Sequence, residues 1–239
     1  RGVNGYAKPR DESTNARPAG LAPRTVSYIG TILHSAFDDA KRWRRIPTNP
    51  TDDVKRPRVP SSSSTVTAWD APTLAEFLRQ SRAYRGKGGH PDRYYPVWVL
   101  LATTGLRRGE ALGLRWADVD LEARTLSVTQ TIIAVDHEVM VGSPKTAAGA
   151  RLVDLDAATV SALREHRKAQ LEERLLMGVG FTDRGFVFCL PDGRPYHPER
   201  VSSEFDRRVL KFGLAKLTLH GLRHTWATLA LRGGVHPKV

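Results

Sequence analysis

The sequence contains a single cysteine, Cys189, among its 239 residues. One cysteine can form neither a disulfide within the chain nor the cysteine cluster of a zinc site, so both are excluded. No apolar run of about 18 or more residues occurs, which excludes a transmembrane helix. No basic stretch followed by an apolar one opens the chain, so nothing in the sequence favours secretion.

The charge of the chain is its most informative compositional feature. Lys and Arg together number 37 against 25 Asp and Glu, which gives a net charge of +12 at pH 7. Arg accounts for 28 of the 37 basic residues, and its planar set of donors matches phosphate oxygens in pairs. This excess predicts a polyanionic partner, with nucleic acid as the leading candidate.

Changes in composition divide the chain into three parts. Residues 1–54 contain one helical stripe, which begins at Pro23 and shows apolar residues three and four apart. Residues 55–68 combine basic residues, two prolines and four consecutive serines, a composition typical of a linker. Residues 69–239 form the larger predicted domain. We expect the small basic part and the linker to close around a duplex, with a solvated linker as the alternative.

The larger part predicts an α+β fold that is mostly helical. Residues 125–154 are rich in β-branched residues interrupted by turn residues, which predicts a small three-stranded antiparallel sheet. The segment FVFCL at 186–190 predicts one further short strand. The helical pattern favours helices over 94–104, 157–176, 198–213 and 219–232.

The first candidate motif is T-G-L-R-R-G-E at residues 104–110. Arg107 and Glu110 are three apart, so one helical turn places them on the same face. A carboxylate there can orient the guanidinium while it binds a phosphate. The alternative is a surface ion pair that contributes only a few tenths of a kcal/mol.

The second candidate motif is Pro144-Lys145-Thr146, in a predicted turn between two strands. A lysine at the end of a hairpin can reach into a groove and donate a proton or a charge. An ordinary exposed turn lysine is the alternative interpretation.

The third candidate motif is T-L-H-G-L-R-H at residues 218–224. Thr218 is a plausible N-cap, and His220 and Arg223 are three apart at the start of the predicted helix. Histidine transfers protons near neutral pH, and arginine neutralises phosphodiester oxygens. The sequence lacks the Glu of H-E-x-x-H beside His220 and His224, so a metal site is not expected.

In this order, the three motifs resemble the tyrosine recombinase (phage integrase) family. Residues 23–50 also resemble the last helix of its core-binding domain, so the resemblance covers nearly all of the chain from residue 21. It implies an integrase-type catalytic domain preceded by part of a helical core-binding domain. It also implies site-specific DNA recombination or integration, in which strands are cleaved and rejoined through a phosphotyrosine intermediate.

The resemblance also implies roles for individual residues. Arg107 and Arg223 correspond to the arginines that hold the scissile phosphate, and Glu110 to the acidic residue that supports the first of them. Lys145 corresponds to the lysine that protonates the leaving 5′ hydroxyl, and His220 to the general acid/base. His224 is expected to support this group.

The remaining expectations concern partners. Candidate DNA contacts are the basic residues after the first helix and in the linker: Arg42, Arg44, Arg45, Lys55, Arg56 and Arg58. The partner implied is double-stranded DNA, with a homo-oligomer on paired DNA sites in the full-length protein. No metal or other cofactor is implied, because the arginines supply the positive field that a metal would otherwise give. No membrane is implied either. The implied location is cytoplasmic, at the nucleoid.

The sequence is expected to depart from the family pattern at both ends. The family's core-binding domain has more helices before residue 21 than this sequence offers. The family's tyrosine nucleophile and a further His or Trp box follow the H-x-x-R helix, whereas all six tyrosines here precede His220. We therefore expect a fragment that binds DNA without cleaving it, because losing the nucleophile of a covalent enzyme costs about 10⁶ in rate.

Other functions compete with this interpretation. A decayed DNA-binding remnant of a mobile element shares the charge and fold, and the coding sequence downstream of residue 239 would distinguish it. A type IB topoisomerase-like enzyme uses related chemistry and stays an alternative. A metal-dependent nuclease needs converging carboxylates, which the motifs lack. Cys189 as a nucleophile is disfavoured, because an apolar strand predicts a buried, inert thiol.

Overall fold

The computed structural model describes residues 21–55, 57, 68–136, 138–142 and 150–234. The chain divides into two compact units, residues 1–64 and 65–239. Most residues of the predicted linker at 55–68 lie outside the described part, so the three-part division stays a prediction.

The first unit contains one described helix, α1 (Pro23–Arg42), which begins with proline in its first turn. The prolines Pro47 and Pro50 predict a helix that reaches them, but α1 ends at Arg42. The backbone of Arg44 is left-handed, with φ of 55°, and an α-helix cannot continue through this conformation. The buried Asn49 connects the following turn to α1. Its side-chain amide donates to the backbone oxygen of His34 at 3.1 Å and to Oδ1 of Asp38 at 2.8 Å.

Six α-helices lie in the described part of the second unit, and the predicted ones are confirmed to within a few residues. Asp70, Asp156 and Thr218 cap three of them, each accepting a hydrogen bond from the backbone N–H three residues later. The helices are α2 (Ala71–Ala83), α3 (Tyr95–Thr104), α4 (Arg108–Gly113), α5 (Ala157–Met177), α6 (Pro198–Lys211) and α7 (Leu219–Arg232).

Helix α3 is the centre of the core, because it is apolar on nearly every side and packs against α2, α4, α5 and α7. Around it, the Phe205 ring lies 5.1 Å from Phe77 and 5.5 Å from Trp98, centroid to centroid. Trp69 joins this cluster and donates its backbone N–H to Thr225 Oγ1 of α7 at 3.0 Å. Helices α4 and α7 therefore both pack on the same central helix.

The α+β class is confirmed, but the strands form two small antiparallel sheets rather than one. β1 (Val119–Asp120), β2 (Thr125–Val128) and β5 (Arg151–Asp154) pair in the order β1-β2-β5, and β3 (Thr131–Val135) pairs with β4 (Glu138–Gly142). The β-branched segment TLSVTQTIIAV at 125–135, which predicts a single strand, divides between β2 and β3. At the division, the Gln130 side-chain amide donates to the backbone oxygen of Gly113 at 2.5 Å. Residues 186–190 form only isolated bridges, to Arg115 and Pro195, instead of a strand.

None of the helices in the described part of the chain has both the length and the apolar character that crossing a membrane requires.

Candidate active site

The turn between α3 and α4 positions the first candidate arginine. Gly105 ends α3 in the left-handed conformation, with φ of 61°. A side chain there would meet the indole of Trp226 on α7, since a Cβ would lie 2.5 Å from Cδ2 of that ring. Glycine therefore allows α7 to pack directly against the end of α3, and the chain then enters α4 at Arg107.

Arg107 and Glu110 form the pair that their spacing predicted. Glu110 Oε1 accepts a hydrogen bond from Arg107 Nη1 at 2.8 Å, and Oε2 accepts one from the Arg107 backbone N–H at 2.9 Å. The Glu110 side chain is 6% exposed, whereas that of Arg107 is 61% exposed. A buried carboxylate thus orients a guanidinium that faces solvent.

Sequence reasoning missed a second cation on the same carboxylate. Arg151, the first residue of β5, donates from Nη2 to Glu110 Oε2 at 2.9 Å and from Nη1 to Oε1 at 3.3 Å. Burial by itself raises the pKa of Glu110. The hydrogen bonds from Arg151 and Arg107 outweigh burial and lower the pKa from 4.5 to about 2.

Helix α7 brings the other candidates to the same region. Its cap, Thr218, places His220 and Arg223 in the first two turns, as predicted. The Arg223 Nη1 donates to the backbone oxygen of Gly105, two residues before Arg107. Burial and the charge of Arg107 both lower the pKa of Arg223 from its ordinary value, so the two guanidinium groups are close enough to repel each other.

His220 lies exposed on α7, close enough to Arg107 and Arg223 for their charges to act on its ring. Burial of part of the ring, with the charges of His224, Arg223 and Arg107, lowers the pKa of His220 below 6.5. The ring is therefore mainly neutral at pH 7 and is available to accept a proton. His224 packs edge-on against it, with ring centroids 4.8 Å apart.

The structure therefore brings together Arg107, Glu110, His220 and Arg223, with Arg151 as a further member. Lys145 lies outside the described residues, so its predicted role stays a prediction.

The candidate DNA contacts belong to the first unit or the linker. Arg42, Arg44, Arg45 and Lys55 are all exposed, and Arg42 Nη2 lies 2.9 Å from Asp39 Oδ1. Arg56 and Arg58 lie outside the described residues. The DNA-binding role of these six residues stays a prediction.

The tyrosines described in the second unit include three with structural contacts. Tyr196 is 2% exposed and its hydroxyl accepts a hydrogen bond from Arg93 Nε at 3.3 Å. Burial raises the pKa of Tyr196 to about 12 and also raises the pKa of the buried Tyr94. The Arg208 guanidinium stacks over the Tyr84 ring, 3.9 Å from its centroid. These contacts give the three phenols packing roles.

Cys189 is 3% exposed, and burial raises the pKa of its thiol. Both observations fit the inert thiol that its apolar surroundings predicted.

One group of potential metal ligands occurs in the described part of the chain. His34, Asp38 and Asp52 of the first unit bring their ligand atoms within 4.8 Å of one another. Asn49 and Thr51 already hydrogen-bond to this group, at 2.8 Å from Asp38 Oδ1 and 2.9 Å from His34 Nδ1. The group thus connects α1 to the turn that follows it.

Comparisons with known proteins bear on the family and the fold of the chain. The model of the phage integrase family matches residues 70–239. Over 230 residues the chain is 26% identical to a tyrosine recombinase XerC-like protein of Caldanaerobacter subterraneus, covering 90% of this chain and 57% of that protein. It is 28% identical over 244 residues to the prophage integrase IntR of Escherichia coli, covering 95% of this chain and 55% of that protein. The chain thus spans somewhat more than half the length of these relatives.

Solved structures show the same fold. The Tn1549 transposon integrase, in complex with transposon right end DNA, superposes with a TM-score of 0.76 at 24% identity, over 92% of this chain and 70% of that one. A lambda integrase dimer bound to a core site superposes with a TM-score of 0.57 at 15% identity, over 90% of this chain and 69% of that one.

Proposed function

The chain belongs to the phage integrase family, and from this premise we propose that it binds double-stranded DNA and takes part in site-specific recombination. The proposed reaction cleaves and rejoins DNA strands through a phosphotyrosine intermediate.

The observation that carries this proposal is the meeting of Arg107, at the start of α4, with His220 and Arg223 of α7. Arg223 donates to the backbone two residues before Arg107, and the charges of both arginines act on His220. Two guanidinium groups that repel each other are stabilised when a phosphodiester lies between them. The buried carboxylate of Glu110 neutralises part of that repulsion and orients Arg107.

The chemistry proposed for the site is phosphoryl transfer. A tyrosine hydroxyl attacks the phosphorus, a 3′-phosphotyrosyl bond forms, and the bond to the 5′ oxygen breaks. Lys145 supplies the proton to the leaving 5′ oxygen, and His220 exchanges a proton beside the phosphate. A 5′ hydroxyl of a different strand then attacks the phosphotyrosine and releases the tyrosine. Arg107 and Arg223 stabilise the charge that develops on the non-bridging oxygens.

Residues 1–239 alone are proposed to bind DNA without forming the covalent bond. Tyr84, Tyr94 and Tyr196 are held by arginines or buried in the core, as described above, and none belongs to the group around Glu110. In the full-length protein we propose a homo-oligomer on paired DNA sites, located in the cytoplasm at the nucleoid. The basic residues Arg42, Arg44, Arg45, Lys55, Arg56 and Arg58 are proposed to contact the duplex.

DNA binding by residues 1–239 tests the first part of the proposal. Fluorescence anisotropy with a labelled duplex should show binding at low salt, and Arg223→Ala should weaken it about tenfold. The matched control is Arg174→Gln, which removes an arginine paired with Asp183 at 2.6 Å on α5. Absence of duplex binding by the unaltered chain, or equal losses in both variants, would overturn this part.

A nicked suicide duplex tests the second part. Incubation with residues 1–239 should give no covalent protein–DNA adduct on a denaturing gel. An adduct would show that a tyrosine of this chain is the nucleophile, and tyrosine-to-phenylalanine variants would then identify it.

A further inference from the structure

Arg151 and Arg107 both contact the carboxylate of Glu110, and Arg151 follows Glu110 in the sequence whereas Arg107 precedes it. Arg151 is the first residue of β5, 41 positions after Glu110, and its side chain is 32% exposed. Both terminal nitrogens of its guanidinium donate to Glu110, at 2.9 and 3.3 Å. This arrangement is the bidentate geometry, which is the strongest way for arginine to bind a carboxylate.

These contacts fill the hydrogen-bond acceptor positions of the Glu110 carboxylate. Each of its oxygens accepts one hydrogen bond from Arg107 and one from Arg151. A carboxylate has about four acceptor positions, so four donors fix the orientation of the group. Because the side chain is 6% exposed, water does not substitute easily for a missing donor.

We infer that Arg151 is a positioning residue: it holds Glu110 in the rotamer that directs Arg107 toward a DNA phosphate, and it does not bind that phosphate itself. The inference rests on the proposed function. Arg151 directs both terminal nitrogens at the carboxylate, whereas Arg107 directs one there and exposes 61% of its side chain. Arg107 is thus the member of the pair that reaches DNA.

Arg151 also sets the charge beside Arg107. Arg107 and Arg151 together place two positive charges against the one negative charge of Glu110. Without Arg151, Glu110 would cancel the charge of Arg107 and would be held by the two hydrogen bonds from Arg107 alone. The substitution Arg151→Lys would keep the charge, but an ammonium group cannot donate to both oxygens with the same fixed geometry.

A double-mutant cycle on residues 1–239 tests the inference, with duplex DNA affinity as the readout. Arg151→Gln should weaken binding about tenfold in the unaltered chain and have no further effect in the Arg107→Ala background. In the Arg223→Ala background the loss should persist, because Arg223 is not held by Glu110. Arg151→Lys should recover part of the affinity. Arg174→Gln serves again as the matched control.

The possible outcomes separate the two claims. Equal losses in the unaltered and Arg107→Ala backgrounds would show that Arg151 contacts DNA directly or has a general structural role, and would overturn the inference. Unchanged affinity in Arg151→Gln would also overturn it, provided that Arg107→Ala weakens binding. If the unaltered chain does not bind duplex DNA, the proposed function itself fails.

Folding is checked by circular dichroism, because Arg151→Gln leaves a buried carboxylate short of donors. Should that variant unfold, Glu110→Gln combined with Arg151→Gln removes the buried charge. This double variant should bind DNA as weakly as Glu110→Gln alone, and a further loss beyond Glu110→Gln would contradict the inference.

Discussion

Glu110 holds Arg107 at two points, because one carboxylate oxygen accepts from the Arg107 backbone N–H at 2.9 Å and the other from its guanidinium at 2.8 Å. The same group therefore fixes the start of α4 and the direction of the arginine side chain. Any change that weakens Glu110 should affect both the stability of the second unit and its affinity for DNA.

The free energy of unfolding should depend on pH through the ionisation of Glu110. Its pKa falls from 4.5 to about 2 on folding, so its contribution is complete above pH 4.5 and is lost as the pH falls toward 2. Each pKa unit corresponds to about 1.4 kcal/mol, which gives a contribution of about 3.5 kcal/mol. Urea unfolding of the unaltered chain and of Glu110→Gln, measured from pH 6 to pH 2, checks this value.

Glu110→Gln should lose stability at pH 6 and show a shallower decline on acidification. The control is Glu122→Gln, which removes an exposed carboxylate paired with Arg164 at 2.6 Å and should change stability by less than about 1 kcal/mol. Parallel pH profiles for Glu110→Gln and the unaltered chain would contradict the assignment.

Arg107→Ala should reduce the salt dependence of DNA binding. Each cation that binds a phosphate contributes about 0.9 to the slope of log affinity against log salt concentration. The slope should therefore fall by about 0.9 in this variant, with weaker binding at every salt concentration. An unchanged slope would mean that Arg107 does not contact a phosphate.

Gly105→Ala should destabilise the second unit by about 3 kcal/mol, because the new methyl group meets Trp226 as well as adopting a left-handed backbone. Gly213→Ala is the matched control, since Gly213 has φ of 66° but a Cβ added there would meet no atom within 4 Å. That variant should lose only about 1 kcal/mol. Equal losses in thermal or urea unfolding would show that the Trp226 contact is unimportant.

DNA affinity should increase as the pH falls from 7 to 5, because His220 gains a proton beside a bound phosphate. The lowered pKa of His220 leaves it mainly neutral at pH 7 in the free protein, and a phosphate favours its charged form. Binding therefore takes up a proton, so acid strengthens it. His220→Gln should remove part of this increase, whereas His90→Gln, at an exposed position, should keep it. Identical pH profiles for all three proteins would contradict this role.

Local spacing was enough to predict several parts of the structure. Arg107 and Glu110 are one helical turn apart, and Thr218 caps the helix that carries His220, so short-range geometry determines both arrangements. The boundaries of α5 and α7 follow from the same periodicity and from their capping residues.

The parts that were missed depend on contacts between distant segments. Arg151 lies 41 positions from Glu110, and Arg223 lies 118 positions from Gly105, so neither contact has a signal in local spacing. The division of the predicted strand depends on how Gln130 meets Gly113 of α4. The early end of α1 depends on the left-handed conformation of Arg44, which its sequence neighbours do not indicate.

The most direct test of the account is a structure of residues 1–239 bound to a DNA duplex. It should place one phosphate between Arg107 and Arg223, with guanidinium nitrogens about 2.7–2.9 Å from its oxygens and with His220 beside it. Arg151 should remain on Glu110 in the same structure. Contacts of Arg107 and Arg223 with different phosphates, or a DNA path that avoids them, would contradict the central claim.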